Sequence, residues 1–437
     1  MKVLKFGGTS VGSAQRMRDF AKLICDGNQN FVVLSAMSGT TNSLVEISDY
    51  LYKKNHDGAN EIINQMTIKY AAVIDELYST QEYRDKAHAL ILSYFDYIRT
   101  LFKDRFSSVE ERIILAQGEL MSTGMMNLYI NEMGINSVNL PALEYMRTDK
   151  NAEPDFAYIK EKLTALIKQH QNADFFITQG YICLNADGEV DNLQRGGSDY
   201  TASLVGAALN AKEIQIWTDI DGMHNNDPRF VEGTSPVRYL NFQEAAELAY
   251  FGAKILHPTC IQPAKLYNIP VRLLNTMQPE APGTTISNKH EKDKIKAVAA
   301  KDNITAIKIK SGRMLLATGF LRKVFEIFET YNTPIDMVTT SEVGISVTID
   351  NPKRLDEIVG DLKKYGAVTV DKNMVIICVV GDLDWSNIGF SSKIVNALRE
   401  IPVRMISYGG SNFNVSLLIN ASDKKHALQA LSNQLFN

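Results

Sequence analysis

Lys2-Val3-Leu4-Lys5-Phe6-Gly7-Gly8-Thr9-Ser10 is a short, mostly apolar run that stops at two glycines and two hydroxyl side chains. Its first half, Val3 to Phe6, reads as a strand. The same grammar returns twice. Phe31-Val32-Val33-Leu34 runs into Ser35-Ala36-Met37-Ser38-Gly39-Thr40-Thr41, and the strand candidate Glu213 to Trp217 runs into Thr218-Asp219-Ile220-Asp221-Gly222. Helical patterns lie between. Met17, Phe20, Ala21 and Ile24 share one face from Ser13 to Cys25, residues 42 to 133 are mostly helical, and a helix over Asp199 to Ala211 follows a strand over Asp174 to Cys183. Strands apolar on both faces, alternating with helices, predict an α/β fold with a mostly parallel sheet between helices. Ligands of such sheets sit beyond the carboxyl ends of the strands, where these Gly/Ser/Thr loops fall.

The 437 residues allow about two to four domains, and 45% apolar residues suffice for sizeable cores. The balance of 46 basic against 50 acidic residues argues against a nucleic-acid binder that works by bulk positive charge. Cys25, Cys183, Cys260 and Cys378 lie far apart, so neither a zinc ribbon nor a disulfide framework is expected. Free thiols suit a cytoplasmic setting. No apolar run reaches the ~18 residues a membrane helix needs, and with a strand pattern starting at once no leader peptide is expected.

Near residue 285 the texture changes, and residues 286–294 read as a charged linker. Beyond it an internal repeat sets in. Gly319-Phe320 recurs as Gly389-Phe390, Pro334-Ile335-Asp336-Met337-Val338 as Pro402-Val403-Arg404-Met405-Ile406, and Gly344 to Ile349 as Asn414 to Ile419. The pattern predicts two copies of a small α+β module after a larger α/β domain.

The loops carry the chemistry. Lys5 beside Gly7 and Gly8 supplies a point charge and close backbone approach for a phosphate, though a plain tight turn would look the same. Gln194-Arg195-Gly196-Gly197-Ser198-Asp199 opens a helix. Ser198 or Asp199 could be a simple cap, but the arginine before them forms a fork suited to carboxylate or phosphate. Thr218-Asp219 and Asn226-Asp227-Pro228-Arg229 put carboxylates after a strand, where they could meet Mg²⁺ or a nucleoside. Lys254 in Phe251-Gly252-Ala253-Lys254 reads in isolation as a solvated lysine. Glu119, in a helical stretch, matters only if it faces the cleft. Two lysines, an arginine and glycine loops suit phosphoryl transfer, and no Ser-His-Asp set or metal-ligand cluster is apparent, so no protein-held metal site is expected. The missing general base is informative. A carboxylate acceptor, with a pKa of roughly 4, is already ionised at neutral pH. It needs only charge shielding and in-line positioning.

Together these motifs, with Gly118-Glu119-Leu120 and Phe251 to Pro258, resemble the aspartate kinases of the amino-acid kinase superfamily, and the C-terminal repeat resembles their paired ACT domains. The resemblance covers nearly the whole chain. It implies the amino-acid kinase fold over 1–290 and two ferredoxin-like ACT modules over 303–370 and 371–437, interleaved through a strand from about 295–302. It implies ATP- and Mg²⁺-dependent phosphorylation of the L-aspartate β-carboxylate to 4-phospho-L-aspartate, the step toward lysine, threonine and methionine. By motif position, Lys5 and Asp199 would be catalytic, Lys5 also contacting the nucleotide phosphates with Gly7, Gly8 and Ser35. Thr41, Glu119, Arg195 and Ser198 would hold aspartate. Thr218, Asp219, His224, Arg229 and Lys254 would hold the nucleotide, His224 standing where many relatives have tyrosine. Thr339-Thr340-Ser341-Glu342 resembles the lysine-sensitive monofunctional type, implying lysine bound by Met314, Phe320, Leu321 and Asp336. No nucleic acid or membrane partner is expected, and paired ACT modules imply a homodimer or homotetramer. Two other readings stay open: a kinase of glutamate or acetylglutamate on the same fold, and a catalytically dead amino-acid sensor.

Overall fold

The computed structural model describes residues 1–25, 27–193, 196–252, 257–312 and 318–436. The chain forms two compact units: Met1–Met223 with Ile255–Asn288, and His224–Lys254 with Lys289–Asn437. Among the described residues, no helix is long and apolar enough to cross a membrane.

In the first unit seven strands lie side by side in the order Ser137–Leu140, Phe175–Gln179, Asn30–Leu34, Lys2–Phe6, Ile214–Thr218, Val271–Asn275 and Thr284–Ser287. The first six run parallel, and the seventh is antiparallel to its neighbour. The three strands legible in the sequence sit together at the centre: Lys5 is in register with Val33 on one side and Ile216 on the other. Their burial on both faces explains why the runs are mostly apolar, with Lys5 and Gln215 the polar residues inside them. Phe6 stacks on Trp217 with ring centroids 5.6 Å apart and meets Phe20 edge-on at 4.5 Å. Phe20 comes from the helix Ala14–Ile24, whose cap is the Ser13 side chain accepting from the Arg16 N–H.

The mostly helical stretch resolves into Thr40–Tyr52, His56–Leu77, Gln81–Thr100 and Ser108–Glu132. The last begins with a full capping box, Ser107 with Glu110, and its middle is buried nearly all round, from Ile114 to Met126. The expected strand over Asp174 to Cys183 is corrected: it breaks at Gly180-Tyr181. Phe175–Gln179 stays in the main sheet, while Ile182–Leu184 pairs with Val190–Asn192 in a separate ribbon. Tyr181 takes a positive φ of 70°, rare for a bulky residue, and that turns the chain out of the sheet.

The second unit contains a six-stranded antiparallel sheet in the order Val338–Ser341, Gly344–Ile349, Ile295–Lys310, Ala367–Gly381, Asn414–Asn420 and Met405–Ser407. The two central strands have 16 and 15 residues. Helices Phe320–Thr330 and Leu355–Leu362 bury Phe320, Val324, Ile358 and Leu362 against one half of the sheet, with Ile307 and Val347. Helices Phe390–Ala397 and Lys424–Leu435 bury Ile394, Ala427 and Leu431 against the other, with Ile377 and Leu417. The sequence repeat is thus a structural one. Gly319 and Gly389, at matching repeat positions, both start a helix from a left-handed conformation, with φ of 85° and 94°.

Candidate active site

Three of the parallel strands end at one place, and their loops enclose a cavity of about 540 Å³. Its lining includes Lys5, Gly8, Ser35, Thr41, Glu119, Ser198 and Asp199, so seven of the residues implicated by motif come together there. Lys5, the next-to-last residue of its strand, is ion-paired with Asp199 at 2.7 Å, and both side chains are only 12% exposed. Asp199 lies in the first turn of the helix Gly197–Ala208, so the positive end of that helix opens into the cavity at Gly197 and Ser198. The Ser35 hydroxyl donates to Ser198 Oγ at 3.0 Å, and Ser122 donates to the Ser35 carbonyl at 2.8 Å, which pins the second loop to both flanking elements.

Glu119 settles the doubt its sequence position raised. It is buried, it lines the cavity, and its Oε1 accepts the Ala36 N–H at 3.2 Å. Burial pushes its pKa up to about 8, only partly offset by that N–H and by its own backbone. A carboxyl group held this way is poised to become charged when a cation arrives.

Gly8 permits the close approach of the first two loops. A Cβ there would lie 2.5 Å from the Ala36 carbonyl oxygen, a backbone atom that cannot swing aside. Gly8→Ala is therefore expected to shift the phosphate-side loops and lower kcat/KM for ATP about 10²-fold, since displacements near 1 Å cost about that much. Near-normal ATP kinetics in this variant would show that the loop tolerates the shift. Gly7 sits beside the lysine: a Cβ there would be 3.8 Å from Lys5 Nζ.

A second cavity of about 260 Å³ shares Thr9 with the first and is lined by Ser10, Arg16, Asp19, Thr218, Asp219 and Thr276. Thr218 and Asp219 thus lie apart from the Lys5 cavity but beside a residue common to both. Arg16 was not singled out in the sequence. It is held by donating to the Thr9 carbonyl at 2.5 Å, and nothing local distinguishes it from other helix-surface arginines. Tyr181, which lines the Lys5 cavity, was also missed.

The remaining motif residues fall elsewhere. His224 and Arg229 belong to the second unit: His224 Nδ1 lies 2.9 Å from Thr234 Oγ1, and Arg229 forks onto Asp227 at 2.6 Å. That guanidinium holds the Asp227 carboxyl below its usual range. In the effector set Phe320 is buried, Leu321 is exposed at the start of its helix, and Asp336 is paired with Lys301. Arg195, Lys254 and Met314 lie outside the described residues. Among the described residues no group of three or more His, Cys, Asp and Glu side chains could hold a metal ion.

The family model for the amino acid kinase family matches residues 1–275, and an ACT domain model matches residues 377–435. Aspartokinase 1, chloroplastic, of Arabidopsis thaliana is 35% identical, spanning 99% of this chain and 80% of that protein. The crystal structure of E. coli aspartokinase III in complex with aspartate and ADP, described as its R-state, is 31% identical with a TM-score of 0.87 over the whole of both chains. The same enzyme with lysine and aspartate, described as the T-state, is 32% identical with a TM-score of 0.81, again over both whole chains. With this likeness running from end to end, and with the site geometry in the first unit, the chain belongs to the aspartokinases of the amino acid kinase family.

Proposed function

We propose that the Lys5 cavity transfers the γ-phosphoryl group of ATP, delivered as its Mg²⁺ complex, to the β-carboxylate of L-aspartate, giving 4-phospho-L-aspartate. The observation that carries this reading is the shared lining of one cavity by the Lys5–Asp199 pair and the buried Glu119. The solved relative that holds aspartate and ADP supports the choice of both substrates. Lys5 draws the charge that develops on the phosphoryl oxygens, and Asp199 keeps its ammonium aimed. The N–H groups at the start of the helix Gly197–Ala208 and along the Gly8 and Ser35 loops add fixed dipoles. Glu119 takes the ammonium of aspartate, Arg195 its α-carboxylate, and Thr41 and Ser198 complete the cradle. Thr218, Asp219, Arg229 and Lys254 hold the nucleotide, with His224 covering less of the base than tyrosine would. The Mg²⁺ travels on the nucleotide phosphates, where one or two carboxylates suffice to steady it.

A hydroxamate-trapping assay with aspartate, glutamate and acetylglutamate decides the acceptor. Aspartate should be preferred by at least about 10²-fold in kcat/KM, and equal rates with glutamate would move the chain to another carboxylate kinase. We further assign the ACT modules to feedback inhibition by lysine, bound by Met314, Phe320, Leu321 and Asp336. The lysine-bound relative supports that choice. Millimolar lysine should inhibit where threonine does not, and a flat response to lysine removes the assignment. Association into a dimer or tetramer through these modules is supported by the exposed Trp385 and Ile388, 81% and 101% accessible. Light scattering on the eluted protein reads the oligomer directly.

A further inference from the structure

Phosphoryl transfer leaves a well-formed cavity of the first unit unused. The helices Gln81–Thr100 and Ser108–Glu132 touch at Gly124, where a Cβ would lie 2.7 Å from Leu90 Cδ2. Away from that contact they part around a cavity of about 340 Å³. Small-molecule sites span ~300–1,000 Å³, so the space is large enough for one. Ile113, Ala116, Gln117 and Leu120 line it from one helix, at the i, i+3, i+4 and i+7 positions of a single face. Tyr94 and Tyr97 line it from the other helix. Leu143, from the turn Ala142–Glu144, and Val190, from the strand Val190–Asn192, complete the wall.

Gln117 is the polar anchor of this cavity. The residue is 4% exposed. Its Nε2 donates to the Ile113 carbonyl at 2.8 Å, one turn back on the same helix. Its Oε1 accepts no hydrogen bond among the described residues. An amide oxygen buried without a donor is costly. Water meets that need poorly here. A held water wants about two to four polar partners, and the side chains of Ile113, Ala116, Leu120 and Val190 offer none.

The chemistry of the walls selects the occupant. Among the described residues no charged side chain lines the cavity. A zwitterionic amino acid or a phosphate would therefore enter with its charge unpaired. Burial pushes the pKa of the Tyr94 hydroxyl up, which keeps it a neutral phenol. Two tyrosine rings favour a flat aromatic partner through stacked or edge-on contacts. Glu119, between Gln117 and Leu120 in sequence, lines the Lys5 cavity instead. The two cavities thus lie on different faces of one helix.

We propose that this cavity binds a neutral, planar aromatic molecule carrying one N–H or O–H donor, with the donor on Gln117 Oε1 and the ring against Tyr94, Ile113 and Leu120. Indole and phenol rings have this chemistry. Such binding does not depend on the transfer reaction.

The probe is indole, titrated calorimetrically into the full chain, with 1-methylindole as the same ring without its donor. Wild type should bind indole saturably, at least about tenfold more tightly than 1-methylindole, the factor expected of one buried hydrogen bond. Gln117→Met keeps the bulk and removes the acceptor. It should bind the two probes within about twofold of each other, with 1-methylindole affinity unchanged. A thermal melt shows that the fold is kept. Val190→Phe, on the opposite wall, takes the ring's place and should weaken both probes at least about tenfold. No saturable indole binding by wild type overturns the proposal. Equal wild-type affinities for the two probes also overturn it, as does an indole preference retained in folded Gln117→Met or full affinity retained in Val190→Phe.

Discussion

Replacing Lys5 with methionine is expected to lower kcat about 10³-fold, the scale on which a preorganised charge at the reacting centre acts. Methionine keeps the unbranched stem in its slot and removes only the ammonium. On the proposed role of Lys5, meeting charge that develops during transfer, the loss should fall on kcat rather than on KM for aspartate. The same change strands Asp199, whose partner at 2.7 Å is gone in a setting only 12% exposed. Breaking such a pair costs about 3–5 kcal/mol, so a drop in melting temperature will accompany the loss of activity. The two effects separate in the double variant Lys5→Met/Asp199→Asn. Neutralising both partners should recover most of the stability and none of the turnover. ADP release in a coupled assay and thermal melts read both. If Lys5→Met keeps more than a tenth of wild-type turnover, the lysine is structural.

The second large effect is set by pH. Glu119 holds its proton up to about pH 8 because burial disfavours its charged form. If Glu119 receives the ammonium of aspartate as proposed, that positive charge favours the carboxylate, and binding expels the proton. Affinity is therefore full above about pH 8 and falls as the pH is lowered through that value. KM for aspartate should rise about tenfold for each pH unit below it, because the competent form of the site shrinks by that factor. In Glu119→Gln this dependence should vanish, and KM at pH 9 should rise about 10²-fold through loss of a buried charge pair. Stability runs the other way. A carboxyl whose folded pKa is raised holds its proton better in the native state. It destabilises the fold progressively as pH rises from its unfolded value of about 4.3 toward 8. Glu119→Gln should thus melt higher than wild type above neutral pH. A pH-independent wild-type KM for aspartate between pH 6 and 9 would show that Glu119 is ionised throughout.

Glu119 also marks where sequence reading stops. Its place in a helical stretch is legible in the sequence, whereas the start of the helix Ser108–Glu132 at the Ser107–Glu110 capping box was not singled out there. That the glutamate faces inward depends on the helix packing against the Ser35–Ala36 loop, a contact between segments some 80 residues apart that no local pattern encodes. By contrast, the strands Lys2–Phe6, Asn30–Leu34 and Ile214–Thr218 are legible because burial on both faces favours short, mostly apolar runs, with Lys5 and Gln215 as the polar residues inside them. Ser137–Leu140 is short and half polar and has no such signature. The Lys5 and Ser198 loops were candidates because glycines and charges meet at strand ends, although a tight turn or a helix cap would read the same in isolation. Arg16 and Tyr181, which line the two cavities, could not be picked out, since neither stands in a motif that sets it apart in the sequence. The family resemblance supplied roles for motif residues and none for these two.

The two long strands of the second unit have a consequence for how it folds. Ile295–Lys310 pairs at its far end with Ala367 to Asp371 and at its near end with Ile376 to Gly381. One module is thus nested within the other, and the outer one closes only after more than seventy intervening residues have been threaded. Contacts of such long sequence separation are slow to form. They also bind the fate of the halves: neither can melt while its neighbour keeps both strands straight. The regulatory unit should therefore unfold as one cooperative block. A chain cut before Asn414 would leave Met374 to Val380 as an unpaired β-edge, open to aggregation rather than a trimmed but working module.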